Sequence, residues 1–190
     1  MRSLIVMGVA VAAGFTSLTC VAGNKAVPAL DASVYVEGSL CKKPDQIVFS
    51  CPLVNSKKIV SMCAAGSVVP HRFYYAFGKP QKIEMNYSLN SSSPSGGLTH
   101  SFLGYAGGTG GYAYSFVNGN VKYIIYSVSG KYGFNAGGVL VQEVGDIKAL
   151  VEMKCAKGDI KEDLDESLLK ETLNFKIDED ISGRALLGIN

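Results

Sequence analysis

The sequence predicts a mainly β protein: an antiparallel sandwich or small barrel of about eight or nine strands with one C-terminal helix. Three observations carry this. Runs of alternating apolar and polar residues recur along the chain, the period of a strand with one buried face. Short turn-forming breaks separate them, and short connections join antiparallel neighbours because parallel ones need long crossovers. The composition agrees, with 22 Gly, 10 Tyr, 8 Phe and no Trp in 190 residues.

The chain opens with Arg2, an apolar run over 4–18 and the small residues Cys20-Val21-Ala22-Gly23. This is the layout of a secretory signal peptide. The run of about 15 residues is shorter than the ~20 of a membrane helix, so an uncleaved anchor is the lesser reading. Cleavage after Ala22 or Gly23 removes Cys20 and leaves four cysteines, an even number suited to an oxidising compartment. The alternative is lipidation of Cys20, although Ser17 and Thr19 match a lipoprotein box poorly. The expected organisation is a signal peptide over 1–23, a disulfide-braced β domain over 24–158, and an acidic helix and tail over 159–190. The expected location is periplasmic or secreted. An outer-membrane lipoprotein, and with it a membrane partner, follows only if Cys20 is lipidated.

Residues 24–33, with Pro28, lead in. Ile47, Phe49 and Cys51 share a face of a first strand over 46–51. Ile59, Ser61 and Cys63 share a face of a second over 57–63, and the turn-like stretch 52–56 makes the two a hairpin. An aromatic strand over 73–77, a Gly78-Lys79-Pro80 turn and a strand over 82–88 with Ile83, Met85 and Tyr87 together come next. Residues 90–97 (NSSSPSGG) form a surface loop, and 98–103 another strand. The Gly-rich stretch 104–111 reads as a flexible loop into a strand over 112–117, with Tyr112, Tyr114 and Phe116 on one face. Asn118-Gly119 predicts a type I′ turn, since both residues tolerate positive φ. A strand over 121–128 returns. A last hairpin over 138–144 and 147–155 turns at Gly145-Asp146, with Ala149, Val151, Met153 and Cys155 on one face and Cys155 inward. Ile160, Leu164, Leu168 and Leu169 make a helical stripe over 160–169, with Asp159 as N-cap and acidic residues in the first half. Residues 172–190 read as a short strand or a mobile tail.

The spacing of Cys41, Cys51, Cys63 and Cys155 is too wide for a zinc site built on close ligand pairs. Disulfides are expected instead. Three pairings are open, and Cys51–Cys155 with Cys41–Cys63 is the preferred one. There are two histidines, His71 and His100. Ser101 adjoins His100, but adjacency along a strand points them to opposite faces, and no G-x-S-x-G elbow is present. The Gly-rich stretch precedes a strand and not a helix, so it is no phosphate cradle. The chain reads as no enzyme, with no metal or cofactor.

Charge is split. Residues 24–158 hold 13 Lys and Arg against 7 Asp and Glu, and residues 159–190 hold 4 against 9. The acidic part is either a solvated helix and tail, or it folds on the basic body or meets a basic partner. The basic residues are spread out, so no nucleic-acid partner is expected. Tyr105, Tyr112, Tyr114, Tyr123, Tyr126 and Tyr132 cluster within a short stretch. Half would fill the core; several exposed on one sheet face would make a protein- or glycan-binding patch. The candidate partner-binding residues are His100, Tyr105, Tyr112 and Tyr114, with Asp163 and Glu166 of the acidic segment.

The strands Val48-Phe49-Ser50-Cys51 and Lys58-Ile59-Val60-Ser61-Met62-Cys63 resemble a pattern in small, uncharacterised exported bacterial β-domain proteins. Tyr75-Ala76-Phe77-Gly78 and Phe116-Val117-Asn118-Gly119 fit the same pattern, and the resemblance covers about 41–155. In plan these are similar to periplasmic toxin-immunity proteins and to periplasmic lysozyme inhibitors, although no inhibitory-loop motif of the latter is present. The resemblance implies an exported periplasmic binding protein that inhibits or neutralises an envelope-active enzyme or toxin. The alternative is a structural or adhesive envelope component that binds glycan or a surface protein.

Overall fold

The computed structural model describes residues 34–89, 97–105, 107–146 and 148–181. The leader, most of the 90–97 loop and the last nine residues lie outside them. Two sheets form a sandwich. β1 (Gln46–Pro52), β2 (Ile59–Ala65), β3 (Arg72–Lys79) and β4 (Lys82–Leu89) make a four-stranded antiparallel meander. β5 (Thr99–Tyr105), β6 (Thr109–Asn118), β7 (Val121–Ser129), β8 (Asn135–Glu143) and β9 (Ala149–Lys154) make a second meander. β10 (Lys176–Ile177) adds to its β5 edge in parallel. α1 (Glu166–Leu173) is the α-helix among the described residues. The mainly β fold with a C-terminal helix is as the sequence predicts, and it is a sandwich.

The inner faces meet over Phe49, Val60, Met62 and Tyr75 from the first sheet and Tyr114, Phe116, Ile125 and Val139 from the second. The Phe116 ring stacks on Tyr123 at 5.0 Å and on Tyr87 at 5.4 Å. Alternation along β6 therefore drives its aromatics inward, where rings contribute contact enthalpy beyond burial alone. Gly111 shows why one position in β6 has no side chain: a Cβ there would run into the Ser127 carbonyl of β7.

Several local expectations change. A bulge between Ile47 and Phe49 turns Ile47 away from the main core onto Cys41 and Cys63. A second bulge between Val141 and Gln142 leaves Leu150 without a partner on β8, and Ala149 packs on the other face of the sheet from Met153 and Cys155. The Gly-rich stretch is not a loose loop, because Gly104 pairs with Gly110 and Tyr105 with Thr109. Asn118 pairs with Val121, so the loop residues are Gly119 and Asn120, and of these Gly119 alone has positive φ, 63°. That is the pattern of a type II′ turn.

The helix begins later than its apolar stripe predicts. Residues 155–163 run along the outer edge of β1, with a turn at Lys157-Gly158. Ala156 N donates to Pro52 O, Lys161 N to Ser50 O, and Asp163 N to Ile47 O. Their amides are committed to the sheet edge and cannot enter a helix. Asp165, not Asp159, is the cap: its Oδ1 accepts from Leu168 N at 2.8 Å. Ile160 and Leu164 still pack against the core, but from this strap.

After α1 the chain crosses the outer face of the second sheet. Asp178 is buried beside Lys122 at 2.7 Å and accepts a hydrogen bond from Ser115. Burial opposes its ionisation, but the hydrogen bonds from Lys122 and Ser115 prevail and hold its carboxyl below the usual range. Ile181 then joins Leu103, Ile124, Val128 and Leu140 in a second apolar cluster. On the first sheet the outer face is covered by the N-terminal segment. Ser50 and Ser61 share a hydrogen bond of 2.8 Å, and Ser61 accepts from Leu40 N.

Both disulfides form as preferred. Cys41–Cys63 spans 22 residues, and Cys51–Cys155 spans 104 and ties β1 to the end of β9. Loop-closure entropy predicts that Cys51→Ala/Cys155→Ala costs about 4.7 kcal/mol and Cys41→Ala/Cys63→Ala about 3.4 kcal/mol. Urea unfolding of the two double variants tests that ranking. Equal losses would show that the loop length is not what sets the contribution.

Candidate functional site

The structure scatters the residues that the sequence singles out. His100 and Tyr114 are core groups, 3% and 1% exposed, and so present no surface to a partner. The His100 ring stands at right angles to Phe102 at 4.7 Å and packs against Tyr114 at 5.3 Å. Tyr105 and Tyr112 are half-buried. Burial, with the Glu162 carboxylate beside it, pushes the Tyr112 phenol far above its usual value; burial, opposed by a hydrogen bond with Thr172 and aided by Glu162, pushes Tyr114 up to about 12. Asp163 and Glu166 are exposed, and Glu166 pairs with Lys170 one turn on at 2.6 Å. The reason is strand alternation: the same pattern that makes these tyrosines conspicuous points them inward.

One tyrosine of the cluster behaves otherwise. Between β7 and β8 the chain makes a short 3-10 turn, Lys131–Gly133. Gly130 N donates to Phe134 O at 2.9 Å and Phe134 N to Lys131 O at 3.2 Å, which closes the loop. Tyr132 at its tip is fully exposed, with φ 59° and ψ 28°. A non-glycine residue in the left-handed region costs roughly 1–2 kcal/mol. The Tyr132 ring therefore gains nothing from packing and holds an unfavourable backbone. Such outliers concentrate where a side chain is presented for a purpose.

The loop overhangs a cleft of about 440 Å³ lined by Tyr126, Lys131, Tyr132, Phe134, Asn135, Lys154, Cys155 and Lys157, among others. Lysines and aromatics line it, and no carboxylate does among the described residues. Lys154 stands 3.7 Å from Glu152. The Cys51–Cys155 disulfide forms part of the wall, so the cleft is tied to the first sheet. A second cleft of about 320 Å³, lined by Tyr112, Ser127 and Glu162, shares Asn135 with the first. The arrangement can stack a flat or apolar group on Tyr132 and Phe134 while ammonium groups meet negative charge. A sequence signal for the loop existed in Gly130-Lys131-Tyr132-Gly133-Phe134, aromatics bracketed by glycines between two strands. Nothing in the sequence tied Lys154 and Lys157 to it, because strand pairing brings them there.

Among the described residues neither histidine sits with a nucleophile. The His71 ring meets the Glu171 carboxylate at 2.7 Å, and Ser101 donates to the Asp178 carbonyl. Among the described residues no cluster of His, Cys, Asp and Glu could hold a metal ion, and no helix is long and apolar enough to cross a membrane. The two disulfides indicate an oxidising, extracytoplasmic environment. Comparison with protein-family models, with curated proteins and with solved structures finds no match to this chain.

Two outcomes follow. Tyr132→Gly relieves the left-handed backbone, so its unfolding free energy should rise by about 1 kcal/mol; a fall in the urea midpoint would mean that the ring does pack. Burial lowers the His100 pKa from 6.5. Its contribution to stability is complete above that value and is lost as pH falls toward the lowered one, because only the unfolded chain takes up the proton there. The melting temperature should fall between about pH 7.5 and pH 5.5, and the fall should shrink in His100→Phe. An unchanged pH dependence in that variant would place the titration elsewhere.

Proposed function

We propose that this chain is an exported binding protein that neutralises an envelope-active enzyme or toxin, with the Lys131–Gly133 turn and the lysine-lined cleft as its contact surface. The observation that carries the reading is Tyr132, a fully exposed aromatic held in a left-handed backbone on a disulfide-tied scaffold. Exposed tyrosine on a rigid element offers large contact area at low entropic cost, as in other protein-binding loops. The resemblance to periplasmic immunity and inhibitor proteins supports the same reading. A second reading, an envelope component that binds glycan, draws on the cleft itself. Tyr126, Phe134 and Asn135 line it together, a set that suits stacking and hydrogen bonding to a sugar.

Capture separates them. The chain from Asn24 to Asn190, made in oxidising conditions, is used as bait in an envelope extract and in a lysate carrying a rival cell's toxins. The first reading expects one stoichiometric protein, lost with Tyr132→Ala while the fold persists. Recovery of wall glycan alone would favour the second. A stoichiometric protein retained by Tyr132→Ala would remove this loop from the reading.

A further inference from the structure

We infer that a cleft on the outer face of the first sheet binds a phosphate monoester carried on a sugar. The cleft holds about 420 Å³, a size that takes a small ligand. Its floor follows from strand alternation. Phe73 and Tyr75 of β3 point into the core, so Arg72 and Tyr74 point out. Register sets Ala65 of β2 beside Arg72, and Ser88 of β4 beside Tyr74. Asn86, two residues earlier on β4, shares their face. A small residue at 65 and short polar ones at 86 and 88 leave the floor open.

The wall is the segment after Cys41. The Cys41–Cys63 disulfide fastens it to β2, beside Tyr74. Lys42 N donates to the Tyr74 hydroxyl at 2.8 Å, and Lys43 N to Val34 O at 2.9 Å. These bonds hold Lys42 and Lys43 at the rim of a cleft that Arg72 also lines.

Charge names the ligand. Among the described residues, none of Lys42, Lys43 and Arg72 has an ion-pair partner. Asp45 lines the cleft too, and the Tyr74 hydroxyl donates to its Oδ2 at 2.8 Å. Three positive charges against one negative leave a surplus of two. A phosphate monoester carries about 1.5 to 2 negative charges at pH 7, against one for a carboxylate. The planar Arg72 guanidinium can meet two phosphate oxygens at once, with the lysines as point charges. Ser88 and Asn86 are then left to meet the ring hydroxyls of a sugar.

Titration of the disulfide-intact chain with glucose 1-phosphate, followed by nuclear magnetic resonance, tests this. The amides of Lys42, Arg72 and Ser88 should shift together, and glucose should shift none of them. Inorganic phosphate, and glucuronate with its single charge, should each bind about tenfold more weakly. Affinity should fall with salt, and below about pH 6 as the monoester takes up its second proton. Arg72→Gln and the double variant Lys42→Gln/Lys43→Gln should each weaken binding about tenfold, with an unchanged urea midpoint. Lys57→Gln, in the exposed β1–β2 turn at the other end of the sheet, should not. Silence of the three amides at about 10 mM glucose 1-phosphate would overturn the inference. So would glucuronate that binds as tightly, or binding indifferent to Arg72→Gln. Phosphatidylcholine vesicles with phosphatidic acid carry the same phosphate without a sugar, and retention on them in place of glucose 1-phosphate would overturn the sugar assignment. The Tyr132 turn belongs to the second sheet and is unchanged in every variant, so these results stand apart from those of partner capture.

Discussion

The outer edge of β1 is the constraint on which the rest of this molecule depends. A sandwich of two meanders has nothing of its own to hold the sheets in register at that side. Here the edge is occupied by the chain that leaves β9. Cys155 bonds to Cys51, and the strap behind it exchanges backbone hydrogen bonds with Ser50, donates from Ala156 to Pro52 and from Asp163 to Ile47. That single run closes the edge against other strands, fixes the distance between the sheets, and decides where the helix can begin. Leu168 and Phe175 then enter the main core from the far end of the strap.

From there the C-terminal chain is carried to the opposite face of the second sheet. It is held by a buried ion pair, Asp178 with Lys122, inside a small hydroxyl network of Ser101, Ser115 and Thr99. A buried pair of this kind adds less to stability than its geometry implies, because both ions lose water. Its use here is placement: it fixes the C-terminal chain to the outer face of the second sheet at Lys122. The acidic segment thus meets the basic body at particular residues, Asp178 at Lys122 and Glu171 at His71. Other carboxylates, such as Glu166, stay in solvent.

The strands were legible because alternation is local: from 46–51 to the last hairpin each predicted run holds a strand among the described residues. The disulfides were legible because cysteine number and strand position limited the pairings. The helix start was not, since the stripe of Ile160, Leu164 and Leu168 is the same whether 160–164 are helical or extended, and only the β1 edge decides. Ile47 and Ala149 were misplaced because a bulge adds one residue and reverses every face beyond it. The candidate site failed for a related reason. Aromatic density marks a core strand as readily as a surface patch, so the sequence singles out Tyr112, Tyr114 and His100 as contacts and leaves Tyr132, in the same cluster but in a short loop, unassigned. The cleft below it depends on residues from β9 and the strap, which only tertiary pairing brings to the loop.

The central claim is that the strained turn between β7 and β8 presents Tyr132 to a partner. Hydrogen exchange of the chain alone and with its captured partner measures this without altering a residue. The account predicts slowed exchange at 130–136 and 154–157, with the α1 and β5 amides unchanged. Protection confined to α1 or to the β4–β5 side, with 130–136 exchanging as before, would contradict it.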